Sequence, residues 1–190
     1  MTPKLIIMIK EPRPGRVKTR LGRDIGMTRA AWWFRHQTRS LMRRIQDPRW
    51  QTILAVAPDI EGLQSRVWPS HLPRVLQGNG NLGDRMGRLF RCLPPGPVCI
   101  IGADIPGVSK PHIQAAFQAL GSHDAVFGPA PDGGYWLVGL KRSGRIPTTL
   151  FQNVRWSTQH ALADTKASMP GLRITAVDAL RDVDTVDDLP

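Results

Sequence analysis

The sequence predicts an α/β fold: a mostly parallel sheet with helices on both faces, forming one three-layer domain over residues 1–190. Three observations carry this expectation. Short apolar runs recur along the chain. Amphipathic stretches with helical spacing stand between them. One run, VCIIG at Val98–Gly102, is apolar throughout, as a strand covered on both faces should be.

Taken in order, KLIIMI at Lys4–Ile9 reads as the first strand. Thr28 is placed to cap a helix running to about Ile45, with Ala31, Phe34, Thr38, Leu41, Met42 and Ile45 on one face. TILAVA at Thr52–Ala57 is a second strand, closed by Pro58-Asp59. A short helix over Ile60–Val67 and a short strand over Pro73–Gln77 follow. Asn81 or Gly83 opens the next helix, which turns Met86, Leu89 and Phe90 inward. After the central strand, Ser109 caps a helix with Pro111 in its first turn and Ile113, Ala116, Phe117 and Leu120 facing the core. DAVFGP and YWLVGL read as strands, QHALADTKA as a helix, and LRITAVD as a last strand. Thr185 is placed to cap a terminal turn. No internal repeat or low-complexity linker interrupts the pattern.

Charge narrows the function. The formal net charge is +11, with 20 Arg and 6 Lys against 13 Asp and 2 Glu. Such an excess attracts anions in general. The arginines are spread along the whole chain, and the aromatic residues do not alternate with basic ones as on a base-stacking sheet. Nucleic acid is therefore not the expected partner. No apolar run is long enough to span a membrane, and the first residues lack a signal-peptide pattern, so the cytoplasm is the expected compartment. Cys92 and Cys99 cannot make a four-ligand zinc site and read as buried thiols. The five His show no zinc spacing, and Ser157 has no visible triad partners. The oligomeric state is not legible.

In such a sheet, ligands gather at the carboxyl ends of the strands. Four loops there carry chemistry. The first, KEPRPGRVKTRLGR, leaves the first strand. Gly15 permits close backbone approach to a ligand, Lys18 offers a point charge, and Arg20 offers a fork suited to phosphoryl oxygens. The acids nearest in sequence are Glu11 and Asp24, so packed cations here point to a polyphosphate. The loop is not a P-loop, because GxxxxGK[ST] is absent. The second, QGNGNLGDRMGR, is rich in Gly and opens a helix at Gly83. Arg85 in that first turn opposes the helix dipole and needs a partner, either external or a neighbouring acid such as Asp84. The third, IGADIPG, carries Asp104 just past the central strand, where a carboxylate in a basic protein can hold Mg²⁺ or Mn²⁺ with substrate phosphates. The fourth, GPAPDGGYW, supplies Asp132 with Gly133 and Gly134, either as a bare hairpin turn or as a segment passing beside a sugar or base. At the other end, DVDT offers Asp182 or Asp184 to complete a metal site, or else only closes the fold.

Together KEPRPGRVKTRL, QGNGNLGDRM, IGADIPG, PAPDGGYWLVGL, RWST and DVDT resemble the bacterial family DUF2064, over nearly the whole chain. The resemblance implies the nucleotide-diphospho-sugar transferase superfamily, with its GT-A, Rossmann-like fold. It implies that Gly15, Lys18 and Arg20 wrap nucleotide phosphates, that Asp104 binds the metal, and that Gly83 and Arg85 lie near the base. It assigns no role to Asp132, Gly133 and Gly134. A lone Asp104 stands where glycosyltransferases carry a DxD motif. The leading expectation is a glycosyltransferase moving a sugar from a nucleotide-sugar to a small acceptor. Nucleotidyl transfer from an NTP to a phosphorylated small molecule, and a nucleotide-binding protein without catalysis, are the alternatives.

Overall fold

A computed structural model describes residues 1–189. Strands β1 (Lys4–Lys10), β2 (Gln51–Ala57), β3 (Arg74–Leu76), β4 (Val98–Gly102), β5 (Ala125–Pro129), β6 (Tyr135–Leu140) and β7 (Ile174–Ala176) form one sheet in the order β3-β2-β1-β4-β6-β5-β7. All neighbours are parallel except β6, which runs antiparallel to both β4 and β5.

Alternation along β1 divides the core. Leu5, Ile7 and Ile9 face one side with the buried stripe of α2 (Met27–Ile45) and with Ile113, Ala116 and Leu120 of α5 (Lys110–Ser122). Ile6 faces the other side, with Met86, Leu89 and Phe90 of α4 (Leu82–Cys92). Helix α6 (Ala161–Ala167) lies on that second side through Leu162. The expected three layers are present.

Several boundaries differ from the sequence reading, each for a local reason. The basic stretch after β1 is only half loop, because Thr19–Ile25 forms α1. It buries just Leu21 and Gly22, too little apolar surface to show a period. Helix α2 starts at Met27 behind Gly26, whose positive φ of 91° turns the chain directly from α1; Thr28 sits inside the helix and caps nothing. Helix α3 is shorter than expected, Asp59–Gln64, because Arg74 ties off its end by donating to the carbonyls of Leu63 and Ser65 at 2.7 and 2.8 Å. Asn81, not Gly83, caps α4: Asp84 N donates to Asn81 Oδ1 at 3.0 Å, and Asn81 N to Asp84 Oδ2 at 2.9 Å. Thr185 caps a short 3₁₀ turn, Val186–Asp188. Cys99 is buried, and burial pushes its thiol well above the ordinary range, but Cys92 is exposed at the last turn of α4.

Candidate active site at the carboxyl edge of the sheet

The order β2-β1-β4 makes the gap between β1 and β4 a topological switch point. The chain leaves β1 toward β2 on one side, while β4 lies on the other. Loops from β1 and β4 therefore diverge and leave a crevice at their carboxyl ends. Lys18 comes from the first loop and Asp104 from the second.

Lys18 is held deliberately. It is the N-cap of α1 and adopts a left-handed conformation, φ 46° and ψ 49°, unusual for a residue with a side chain. Its side chain is only 7% exposed. Nζ lies 2.5 Å from Asp104 Oδ2 and donates to Asp184 Oδ1 at 3.0 Å. Burial works against the ammonium, but Asp104 and Asp184 together outweigh it and hold the Lys18 pKa above its ordinary value. Arg20, on the exposed side of α1, donates to Asp184 Oδ2 at 2.9 Å. Thus carboxylates distant in sequence neutralise these cations, where Glu11 and Asp24 are the only acids close to them in sequence.

The C-terminal segment makes this possible. Beyond β7 it crosses the edge of the sheet: Val177 N donates to Phe127 O at 2.8 Å, Leu180 N to Pro129 O at 3.1 Å, and Val183 N to Asp104 O at 3.2 Å. Val183 is buried with Leu21 of α1 and Ala30 of α2. Pinning Val183 leaves its neighbours Asp182 and Asp184 beside Asp104. One oxygen from each of Asp104, Asp182 and Asp184 lies within 4.8 Å of the others. Burial raises the pKa of Asp182, and Asp104, Asp184 and Asp132 raise it further, with Lys18 opposing. Gly102 makes room for this arrangement, since a Cβ there would meet Asp104 Oδ1 at 2.9 Å. DVDT thus joins the site while closing the fold.

Three acids against Lys18 and Arg20 leave the cluster short of positive charge. Its hard oxygen donors, partly buried and held by backbone bonds, fit Mg²⁺ or Mn²⁺.

The other expected residues are spread around this centre. Gly15 takes a positive φ of 74° with open space at its α-carbon. Asp132 lies on the exposed β5–β6 turn, where it accepts from Gly134 N at 2.9 Å. Gly133 is packed against backbone: a Cβ there would stand 2.2 Å from Gln159 O. Gly83 is packed under aromatic side chains, with Trp156 Cζ2 2.7 Å and Phe151 Cβ 2.8 Å from an added Cβ. Arg85 does not pair with Asp84; its Nε donates to Gly80 O at 3.0 Å and ties the Gly-rich loop to α4. Arg13 and Arg16 of the first loop face Glu61 of α3 at 3.3 and 3.7 Å. A cleft of about 380 Å³ beside the start of α4, lined by Asn81, Asp84, Arg91 and the 148–153 loop, contains none of the three clustered acids. The sequence reading missed Val183 and Gly102. Asp182 was visible only as one acid of an Asp-x-Asp pair.

Comparisons with known proteins agree with this architecture. A protein of Desulfovibrio desulfuricans G20, provisionally described as a nucleotide-diphospho-sugar transferase, is 28% identical with a TM-score of 0.81, over 97% of this chain and 83% of that one. The inositol-1-phosphate CTP transferase of T. maritima shares the fold at 12% identity and a TM-score of 0.61, over 100% of this chain and 92% of that one. Rv0371c of Mycobacterium tuberculosis H37Rv, solved as a manganese complex, does so at 18% identity and a TM-score of 0.57, over 99% of this chain and 95% of that one. The fold is thus of the nucleotide-diphospho-sugar transferase type. No curated protein matches the sequence. Among the described residues, no helix is long and apolar enough to cross a membrane. A family model matches residues 40–158, a shorter span than the resemblance implied, with Lys18 and Asp184 outside it. The chain belongs to that family, described as an uncharacterized protein conserved in bacteria, DUF2064.

Proposed function

We propose that this protein is a nucleotide-dependent transferase that moves a sugar from a nucleotide-sugar donor to a small acceptor, with a divalent metal at Asp104, Asp182 and Asp184. The observation that carries this reading is the convergence of Lys18, Arg20 and those three acids at the β1–β4 switch point. A nucleoside diphosphate needs cations for its oxygens and acids for its metal, in one crevice. Mg²⁺ or Mn²⁺ held there would supply Lewis-acid neutralisation of the leaving diphosphate.

The chain's own groups have separable roles in this reading. Gly15 lets the backbone of the first loop approach the phosphates. Arg20, more than half exposed, turns its fork from Asp184 onto a phosphoryl oxygen. Lys18, enclosed and charged, stabilises charge that develops on the leaving group. Asp132 is the candidate to accept the proton from the acceptor hydroxyl. Gly83 and Arg85, and Gly133 and Gly134, shape the walls for base and sugar by holding their loops in place.

Nucleotidyl transfer is the second reading, supported by the shared fold of the CTP transferase. A triphosphate would call on more cations than a diphosphate, and two of those in the first loop, Arg13 and Arg16, face Glu61 instead.

Thermal stabilisation by UDP, GDP, CTP and GTP, each with and without Mg²⁺ or Mn²⁺, tests both. Preference for diphosphates, followed by turnover of a nucleotide-sugar, is the expected result. Preference for triphosphates with pyrophosphate release selects nucleotidyl transfer. Binding without turnover in either assay leaves a nucleotide-binding protein. No response to any nucleotide sinks all three.

A further inference from the structure

Helix α2 presents an unusual outer face. From Arg29 to Ile45 its exposed residues are Arg29, Trp32, Arg35, His36, Arg39 and Arg43. Their spacing places them on one side, opposite the buried stripe from Ala30 to Ile45. The helix contains no acidic residue.

The rest of the protein shows that this is not a uniform Arg background. Twelve of the 20 arginines hold a carboxylate or a backbone carbonyl. Among the described residues, eight hold neither, and four of those eight are on this one face. Trp32 is 65% exposed and stacks on His36, with ring centroids 5.0 Å apart. Among the described residues, Trp32 belongs to none of the buried clusters. Arg23, in the last turn of α1, is another of these eight arginines.

We propose that the outer face of α2 docks on an anionic lipid bilayer surface. The arginines supply attraction to acidic headgroups, and Trp32 supplies an amphipathic ring suited to the headgroup level. From Arg29 to Arg43 the face runs straight for about 21 Å. Its opposite side is packed into the core from Ala31 to Ile45. An exposed face of that length, basic and without an acid, fits the plane of an anionic bilayer. The single Trp32–His36 pair gives no run of rings on which successive bases could stack. The apolar stripe of α2 is already used in the core, so the helix does not embed; contact is electrostatic, with one aromatic anchor. This proposal does not rest on the transferase reading.

The experiment is co-sedimentation of the full chain with phosphatidylcholine vesicles, with and without phosphatidylglycerol. Competing single-stranded RNA is added in a parallel series. Binding to the anionic vesicles alone, weakening as salt rises, is expected. Arg35→Ala, Arg39→Ala and Arg43→Ala should each weaken it about fivefold. Trp32→Phe should remove the part of the tryptophan emission quenched by nitroxide-labelled lipid. All four positions are exposed, and unchanged melting temperatures check that the variants fold. Equal binding to neutral vesicles, anionic binding that survives the triple arginine variant, or RNA that displaces the vesicles through the same arginines would overturn the proposal.

Discussion

Lys18 Nζ sits 2.5 Å from Asp104 Oδ2, joining the crossover that leaves β1 to the loop that leaves β4. The lysine is almost wholly enclosed, whereas Asp104 and its second partner Asp184 remain 27% and 42% exposed. The pair is therefore wet on its acidic side.

That asymmetry sets the outcome of Lys18→Ala. A fully enclosed pair broken on one side costs about 3–5 kcal/mol, but solvent reaches these carboxylates, so the loss should be only about 1–2 kcal/mol. Turnover should fall much further, by about 100-fold or more, as when a preorganised charge is removed from a leaving group. The same variant should bind Mn²⁺ more tightly than the wild type, because the ammonium no longer competes for the acids. Calorimetric titration with Mn²⁺ checks this, and unchanged or weaker binding would show that Lys18 and the metal do not share these ligands.

Asp182 gives a pH prediction. Burial and three neighbouring acids raise its pKa in the fold, so the folded state holds its proton more firmly than the unfolded chain does. At pH values above the folded pKa the ionised group lowers stability; the penalty fades as pH falls through that value. Asp182→Asn should thus raise the melting temperature at neutral pH and narrow the gap to wild type in acid. It should also weaken Mn²⁺ binding, since one charged ligand is lost. Wild-type Mn²⁺ affinity should begin to fall at a pH above the usual aspartate range. Melting curves across pH, with and without Mn²⁺, would refute the assignment if Asp182→Asn were less stable at every pH.

Glycines of the working loops separate packing from binding. Gly133→Ala forces a Cβ into the Gln159 backbone at a φ of 85°, and should cost at least about 2 kcal/mol. Gly83→Ala meets side chains, which can yield, and should cost about 1–3 kcal/mol. In both, the protein that remains folded should bind nucleotide only a fewfold more weakly, since a wall is displaced but no direct contact is removed. Urea unfolding beside equilibrium binding makes the distinction.

Arg13→Ala and Arg16→Ala bear on the reaction. Each faces Glu61 near the surface, so stability should change by no more than about 0.5 kcal/mol. For glycosyl transfer, KM for the donor should stay near wild type. A rise of tenfold or more in both variants would mean that they reach a third phosphate.

Much of the fold is legible because it is written locally. TILAVA and VCIIG are apolar on both faces, and α2 repeats its buried residues with the helical period. Helix α1 escaped because two buried residues define no period and Pro14-Gly15 reads as loop. The reversal of β6 is set by a turn at Asp132-Gly133-Gly134 that also fits a crossover loop. Lys18, Arg20 and Asp104 stand out as charges beside strands. Their compensation does not, because it comes from Asp184, 166 residues from Lys18, and is fixed by the burial of one valine. Nothing local to Asp-Val-Asp tells whether its valine points inward.

The single reversed strand has a practical meaning for change of specificity. Other working loops lead into helices, so altering their length shifts whole elements. The Asp132 turn instead joins adjacent, hydrogen-bonded strands and opens at the same edge as the crevice. It can be varied around Asp132 while both its anchors stay in register, provided that Gly133, packed on the Gln159 backbone, is kept. Grafted turns from relatives are accordingly the first place to look for altered acceptor choice.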